Sequence, residues 1–340
     1  MKKDFWRKST IAVIGGGSWG TALAQLAAEN CAEVRLWVRD EDQAREMNAT
    51  RSNRDYLPNM QLNQKIRIFS SSERIFEHGI QGVIWALPSS ACRTQARALA
   101  PLFRGDEVIL HATKGVEEGT LKRISVILRE ELPAPRIGVI SGPNLAGEIA
   151  AGEPAATVVA SNFNEVVDAG MEILTTNRFR VYSGEDVIGV EWAGTLKNIL
   201  AIAAGALESM KLGSNARAMM ITRGLAEMVR FGVAMGGRQE TFLGLAGVGD
   251  LLATCSSPLS RNYRVGLKLG EGEKLEDILK NLGSTAEGVK TTQSVWKFAK
   301  EREIHMPITE GVDQLISGRF SVQDVLHGLM TRPPAPDLVS

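Results

Sequence analysis

Residues 11–30, which read IAVIGGGSWGTALAQLAAEN, constrain the fold of this chain more than any other stretch. A short apolar run ends at three glycines and gives way to an alanine- and leucine-rich pattern that predicts a helix. Gly15, Gly17 and Gly20 have the spacing G-x-G-x-x-G. In that pattern the first glycine permits a tight turn, the second leaves room for a pyrophosphate, and the third lets the helix pack closely on the strand. The stretch therefore predicts a dinucleotide-binding turn, with the helix N-terminus facing the phosphates.

A secretory signal is the alternative interpretation of this region, because four basic residues precede it: Lys2, Lys3, Arg7 and Lys8. A secretory core needs about 7–15 continuous apolar residues. Here the glycines interrupt the apolar run from Ile11 to Ile14. The following segment, CAEVRLWVRD, is typical of a second strand and not of a mature start after a cleavage site. The nucleotide-binding interpretation is therefore favoured.

The charge balance and the cysteines exclude several classes of partner and site. Lys plus Arg and Asp plus Glu both number 39, so the formal net charge is zero and no nucleic-acid partner is expected. No continuous stretch of about 18 apolar residues appears, so no membrane insertion is expected. The four histidines have no metal-site spacing, and no metal is expected. The cysteines form no CxxC pair and indicate free thiols in a reducing cytoplasm: Cys31, Cys92 and Cys255.

The 340 residues divide into two halves of different character. Up to about residue 183, strand-like apolar runs alternate with helical stretches, among them 18–30, 89–102 and 119–132, which predicts a mainly parallel sheet. From Val190 onward the pattern is helical. We therefore predict an α/β fold in which a Rossmann-type dinucleotide-binding domain (1–188) precedes an all-helical substrate-binding and catalytic domain (189–340).

The predicted second strand ends at Arg39-Asp40, where the adenine ribose of a dinucleotide would lie. An acidic residue at this place bonds the 2′-hydroxyl of NAD, whereas an arginine accepts the 2′-phosphate of NADP. Because both residues are present, the cofactor is NAD or NADP, and Arg39 favours NADP. The alternative for Arg39 is an ordinary solvated surface residue.

Two lysines are candidates for the chemistry. Lys197 lies in EWAGTLKNILAIAAGAL, a helical segment otherwise nearly free of charge, with small residues one turn away. A lysine in such surroundings can have a lowered pKa and act as an acid or base, and a lysine that snorkels at a helix edge is the alternative. Lys114 follows a strand, at the sheet edge where ligands gather in open α/β folds, as does Ser141-Gly142-Pro143-Asn144. On position alone, Lys114 is equally compatible with an ordinary surface lysine.

The helical half contains a candidate anion site. Ser260 is typical of an N-cap, and Arg261 and Asn262 would lie in the first turn of the next helix, where free N–H groups can bind a phosphate. An ordinary capped helix with an exposed arginine is the alternative. Asp250 follows glycines within an apolar run and is a candidate partner of Lys197. Glu287 lies in another loop and by itself indicates little.

In order along the chain, these segments resemble those of the bacterial NAD(P)-dependent glycerol-3-phosphate dehydrogenases. The resemblance rests on VIGGGSWGTALA, HATKG, ISGPN, GVEWAGTLKNILAI, NARAMMITRGLAEM, GLAGVGDLLATC, SRNYRVG and MPITEGV. It implies the reversible reduction of dihydroxyacetone phosphate to sn-glycerol 3-phosphate, which supplies phospholipid synthesis.

The resemblance also implies residue roles, with Lys197 as the general acid/base. The residues around the substrate would be Lys114, Gly142, Asn144, Lys197, Asp250, Ser260, Arg261 and Asn262. Besides the glycine turn, the residues that contact NAD or NADP would be Ser18, Trp19, Arg39, Lys114, Ala146, Arg261, Thr285 and Glu287. The family usually has Ser or Thr at position 144, where this chain has an asparagine, whose amide has a different reach from a hydroxyl.

Two other functions fit parts of the pattern. A related dehydrogenase for a small hydroxy acid would use a similar helix lysine, but residues 260–262 would then bind a carboxylate. A nucleotide-sensing protein without catalysis would need neither Lys197 nor a second anion site. The apolar helices of the second half could form a homodimer face or simply a core.

Overall fold

The computed structural model describes residues 4–282 and 286–333. Its strands are β1 (Thr10–Ile14), β2 (Glu33–Trp37), β3 (Ser52–Asn53), β4 (Leu57–Gln61), β5 (Ile66–Phe69), β6 (Gly82–Trp85), β7 (Val108–His111), β8 (Ile137–Ser141), β9 (Ala155–Ser161) and β10 (Phe179–Gly184). Its helices are α1 (Ser18–Asn30), α2 (Glu41–Thr50), α3 (Ser72–Phe76), α4 (Ser89–Leu99), α5 (Ile124–Glu131), α6 (Ala146–Ala150), α7 (Asn164–Leu174), α8 (Val187–Ser209), α9 (Ser214–Ala234), α10 (Gln239–Phe242), α11 (Asp250–Ser256), α12 (Arg261–Gly270), α13 (Leu275–Asn281), α14 (Glu287–Glu301), α15 (Pro307–Ile316) and α16 (Val322–Met330).

Eight of the strands form one sheet in the order β10-β9-β8-β7-β6-β1-β2-β5. Neighbouring strands are parallel except β8 and β9, which are antiparallel. The chain runs from β1 to β2 on one side and later reaches β6 on the other side, so a crevice opens at the carboxyl end of β1. The predicted class is confirmed: a Rossmann-type, mainly parallel sheet is followed by helices.

The central strands of this sheet are almost entirely buried. In β1, Ile11 to Ile14 are at most 1% exposed. Side chains on both faces of the strand pack into apolar clusters, since Ile11 and Val13 belong to one cluster and Ala12 and Ile14 to another. Burial on both faces explains why β1 reads as a continuous apolar run and not as an alternating one.

Two local features of the sheet half differ from the sequence-based expectation. The predicted helix 119–132 is too long, because α5 begins only at Ile124. Gly119 and Leu121 have φ of +82° and +55°, outside the right-handed helical region. The hairpin formed by β3 and β4 was missed, because strands this short and polar show no alternating apolar pattern.

Helix α8 is the centre of the helical half and packs against α9, α11, α12 and α14. Its approach to α12 is close, since a Cβ added to Gly205 would lie 1.9 Å from the Tyr263 carbonyl oxygen. The predicted domain boundary after residue 188 falls in the first turn of α8, and it stays a prediction.

Within residues 4–282 and 286–333, α8 is the one helix that is by itself long and apolar enough to cross a membrane. Its apolar window is 89% buried inside the protein, which is the arrangement of a core helix. The segments 239–256 and 261–270 are long and apolar enough only as a pair, and the chain is bent by 48° between them.

Candidate active site

The glycine turn between β1 and α1 lies at the crevice of the sheet. Gly15 has φ of +123°, and a Cβ there would lie 2.6 Å from the Ala86 carbonyl oxygen. A Cβ on Gly20 would lie 1.9 Å from the Gly15 carbonyl oxygen, so α1 packs directly on the turn. At Gly17 a Cβ would meet no atom of the described residues within 4 Å, so the backbone there borders open space. The turn therefore fits a bound pyrophosphate.

Among the residues that the structure describes, no side chain caps the first turn of α1, so its N–H groups are available to an anion. Ser18 Oγ makes a long hydrogen bond of 3.4 Å to the carbonyl oxygen of Tyr56, in the loop between β3 and β4. Trp19 is half-buried against the core of the sheet half, and its Nε1 has no hydrogen-bond partner among the described residues. Both residues thus lie at the edge of the crevice.

The segment after β2 carries the two residues that would discriminate NAD from NADP. Asp40 caps α2, and its Oδ1 accepts a hydrogen bond of 2.8 Å from the Gln43 N–H. Arg39 is exposed. The carboxylate is therefore partly occupied by its own helix, whereas the guanidinium is accessible.

The two candidate lysines come from different halves of the chain and meet at one carboxylate. Lys114 follows β7, and its Nζ lies 2.5 Å from Asp250 Oδ2 and 3.0 Å from the Gly142 carbonyl oxygen. Lys197, on α8, donates to Asp250 Oδ1 at 2.6 Å and to Thr254 Oγ1 at 2.5 Å. Asp250 is 1% exposed and Lys197 is 6% exposed. Each oxygen of a buried carboxylate thus holds one ammonium group.

Burial lowers the pKa of Lys114 to about 8. The positive charge of Lys197 acts in the same direction, while Asp250 opposes both effects. When both lysines are protonated, two cations share one anion, so the cluster carries a net positive charge. Such a cluster attracts an anionic substrate and can exchange a proton near neutral pH.

The wall beside these lysines is the segment that follows β8. A Cβ added to Gly194 of α8 would lie 2.8 Å from Ser141 Oγ, so β8 and α8 touch at this point. Asn144 has its amide turned into the protein: Nδ2 donates to the Ala156 carbonyl oxygen at 3.0 Å, and Oδ1 accepts from Thr157 Oγ1 at 2.9 Å. Two residues further on, Ala146 begins α6 and is half-buried.

The first turn of α12 adjoins the lysines. Ser260 caps the helix as expected, since its Oγ accepts a hydrogen bond of 3.3 Å from the Tyr263 N–H. Arg261 is exposed. Asn262 is 7% exposed and its Nδ2 donates to Asn198 Oδ1 at 2.9 Å. Because Asn198 follows Lys197 on α8, a helix N-terminus suited to an anion lies next to the lysine pair.

Glu287 links the helical half to the sheet half. Its carboxylate accepts hydrogen bonds from the Ser89 N–H at 2.9 Å and from Ser89 Oγ, at the start of α4. A Cβ on Gly115 would lie 2.9 Å from Glu287 Oε2, so the carboxylate lies beside the loop of Lys114. Thr285 lies outside the described residues.

Comparison with known proteins assigns both halves to one family. Residues 10–167 match the family profile described as the NAD-dependent glycerol-3-phosphate dehydrogenase N-terminus, and residues 186–327 match the profile of the C-terminus. The chain belongs to the NAD-dependent glycerol-3-phosphate dehydrogenase family.

Relatives named glycerol-3-phosphate dehydrogenase (NAD(P)+) match almost end to end. One from Leuconostoc mesenteroides is 42% identical over 95% of this chain and 98% of its own length. One from Pseudomonas paraeruginosa is 46% identical over 96% of each chain. The crystal structure of glycerol-3-phosphate dehydrogenase from Coxiella burnetii superposes with a TM-score of 0.90 at 40% identity, covering 96% of this chain and 99% of that one.

This member of the glycerol-3-phosphate dehydrogenase family has site residues that sequence analysis did not single out. Thr254 bonds Lys197, and its position four residues after Asp250 would have placed it on the same helix face. Asn198 was overlooked because an asparagine beside a lysine carries no signal of its own. Ser141 begins the segment 141–144 that sequence analysis placed at the sheet edge, but no sequence pattern predicts that its buried hydroxyl has no hydrogen-bond partner in the described part of the chain.

A buried hydrogen-bond network around Glu191, which we call the joint between α8 and α5, connects α8 of this dehydrogenase to the sheet half. Glu191 accepts hydrogen bonds from the Ser125 N–H at 2.8 Å and from Ser125 Oγ at 2.6 Å, in the first turn of α5. It also pairs with Arg123 and lies 3.1 Å from His111 Nε2 at the end of β7. Burial acts to raise the pKa of Glu191, but His111, Arg123 and Ser125 outweigh it and bring the pKa to about 2.

Proposed function

We propose that this chain catalyses the reversible NAD(P)H-dependent reduction of dihydroxyacetone phosphate to sn-glycerol 3-phosphate. The observation that carries the proposal is the convergence of Lys114 and Lys197 on the buried carboxylate of Asp250. A cationic pair of this kind suits a reaction that develops negative charge on an oxygen. The names of the relatives supply the substrate, and the helix N-terminus beside the pair is compatible with its phosphate.

Lys197 is the proposed general acid/base. Reduction of the ketone requires a hydride at C2 and a proton on the nascent alkoxide, and bound NAD(P)H supplies the hydride. Protonated Lys197 donates the proton, and its charge stabilises the developing oxyanion. In the reverse direction neutral Lys197 accepts the proton from the alcohol. Asp250 and Thr254 hold the Lys197 ammonium group in place, and Lys114 adds a second positive charge.

The substrate phosphate is assigned to the first turn of α12. Ser260 and Arg261 would bind it together with free N–H groups of the helix. Asn262, whose amide already bonds Asn198 and the Gly288 N–H, would hold this turn in place. Binding at the phosphate orients the carbonyl group toward the lysines. Gly142 and Asn144 complete the proposed substrate site. Since both polar groups of the Asn144 amide already have protein partners, its contribution is to hold the wall behind Gly142.

The cofactor is assigned to the crevice of the sheet. The turn that contains Gly15, Gly17 and Gly20 would hold the pyrophosphate, and the accessible Arg39 guanidinium would bind the 2′-phosphate, which favours NADPH over NADH. The further proposed contacts are Ser18, Trp19, Lys114, Ala146, Arg261, Thr285 and Glu287.

The wider role follows from the reaction. Glycerol 3-phosphate made in the cytoplasm would supply phospholipid synthesis. A homodimer is part of the proposal, and it is supported by the apolar side chains that α9 leaves on the surface, Met219 at 40% and Val233 at 45% exposure.

The test is oxidation of NADPH and of NADH, followed by nicotinamide absorbance, with dihydroxyacetone phosphate and with unphosphorylated dihydroxyacetone. We expect rapid turnover only with the phosphorylated ketone and a higher kcat/KM with NADPH. Equal turnover of both ketones would contradict the phosphate site. Cofactor binding without turnover of either ketone would overturn the substrate assignment and direct the search to hydroxy acids.

A further inference from the structure

Asn53 lies under the glycine turn and has no place in the mechanism above. It belongs to β3, outside the G-x-G-x-x-G segment, and is 1% exposed. Its Nδ2 donates to the Gly16 carbonyl oxygen at 2.9 Å and to Thr21 Oγ1 at 2.8 Å. A side chain from the β3–β4 hairpin thus holds Gly16, in the middle of the glycine turn, by a hydrogen bond.

The Gly16 carbonyl oxygen can only accept and so fixes the orientation of this amide, and a second contact agrees with it. Gln43 of α2 donates from Nε2 to Asn53 Oδ1 at 3.3 Å. With the amide turned round, Asn53 Oδ1 would face the Gly16 carbonyl oxygen, and two acceptors would be in contact. Gln43 therefore donates to Asn53, and Asn53 donates to Gly16, with no alternative assignment of donor and acceptor.

The hydrogen bond from Asn53 to the Gly16 carbonyl oxygen determines where the Gly17 N–H points. The Gly16–Gly17 peptide is trans, and the C=O and N–H of a trans peptide point to opposite sides. Because the Gly16 carbonyl is held toward Asn53, the Gly17 N–H is directed away from it. Gly17 borders open space, and within residues 4–282 and 286–333 its N–H has no protein acceptor.

We propose that Asn53 is a positioning residue for the pyrophosphate of the dinucleotide, acting by locking the Gly16–Gly17 peptide so that the Gly17 N–H faces the ligand. This inference rests on the proposed use of NAD(P)H. It adds to the glycine motif a residue that the motif does not contain. Since the pyrophosphate is common to both cofactors, the contribution of Asn53 is the same for NADH and NADPH.

The test is the Kd of NADH and of NADPH, measured by nicotinamide fluorescence, for wild type and for Asn53→Asp. The aspartate has nearly the same shape but lacks both donors and places an acceptor against the Gly16 carbonyl oxygen. We expect the Kd of both cofactors to rise at least about 10-fold and by similar factors. The KM for dihydroxyacetone phosphate at saturating cofactor should change less than about twofold. Asn53→Ala, which lacks the donors without adding a charge, serves if the aspartate variant does not fold.

Asn48→Asp is the matched control. Asn48 Nδ2 also donates to two backbone carbonyls, those of Ala44 and Ile68, but it does not touch the glycine turn. This variant should lower the melting temperature without changing either Kd. A folded Asn53 variant with unchanged Kd values, or with a loss confined to NADPH, would overturn the inference. Failure of the wild type to bind either cofactor would instead overturn the proposed function.

Discussion

At the scale of single residues, the account depends on two lysines that share a carboxylate but differ in access to solvent. The side chain of Lys114 is 17% exposed, whereas that of Lys197 is 8% exposed. Lys114 is therefore the more accessible of the two to solvent, and its lowered pKa makes its charge sensitive to pH near 8. Lys197 is held more deeply, between Asp250 and Thr254.

The pKa of Lys114 predicts a pH dependence. Because burial lowers that pKa to about 8, Lys114 loses its charge as the pH rises through about 8. The kcat/KM for dihydroxyacetone phosphate reports the free enzyme, so it should fall above that pH. In Lys114→Arg the side chain stays charged, and the fall should move to higher pH even if the overall rate is lower. A pH profile that falls at the same pH in both proteins would show that another group titrates.

Sequence analysis could identify some of these residues and not others. Lys197 was identifiable because it is the one basic residue of a largely apolar helix, and Asp250 was named as its candidate partner. Lys114 could not be distinguished from a surface lysine, since its burial depends on the approach of α8 and α11 from the other half. The Asn144 amide is hydrogen-bonded to Ala156 and Thr157 of β9. No local sequence pattern reveals these two bonds.

At the scale of elements, the joint between α8 and α5 holds α8, and with it Lys197, in place. Glu191 lies six residues before Lys197 and accepts hydrogen bonds at the N-terminus of α5, a position that favours a negative charge. The apolar period of α8 predicted a helix, but a glutamate in that helix gave no indication of where it would dock. Docking of one element on another is set by contacts distant in sequence, as the missed β3–β4 hairpin also illustrates.

The joint predicts a pH-dependent stability. The pKa of Glu191 is about 2, below the ordinary value of 4.5, so its contribution is fully present above about pH 4.5 and is lost as the pH falls toward 2. Glu191→Gln should therefore lower the free energy of unfolding at pH 7 by about 3 kcal/mol. The difference from wild type should shrink below about pH 4.5, as measured by urea unfolding across pH.

Glu165→Gln is the control for this comparison. Glu165 pairs with Arg136 at 3.5 Å and its side chain is 51% exposed, so its removal should change stability by no more than about 1 kcal/mol. A Glu191→Gln effect that is constant with pH would mean that lost packing, and not the lost charge, destabilises that variant.

At the scale of the whole molecule, the candidate site lies where the two halves meet. The sheet half contributes the glycine turn, Lys114 and Gly142, and the helical half contributes Lys197 and Asp250. The hydrogen bonds between Ser89 and Glu287 add a second connection between the halves. The order of strands and helices was predictable from the apolar pattern and the glycine motif. The meeting of the halves at one carboxylate was not, because it is a property of the folded chain.

The most direct test of the central claim is the turnover of Lys197→Ala with dihydroxyacetone phosphate and NADPH, measured together with the Kd for NADPH. Because Lys197 is not among the proposed cofactor contacts, the substitution should leave cofactor binding within about twofold of wild type. Turnover should fall at least about 100-fold, the scale of a lost general acid. Near-normal turnover with intact cofactor binding would remove Lys197 from the mechanism and contradict the account.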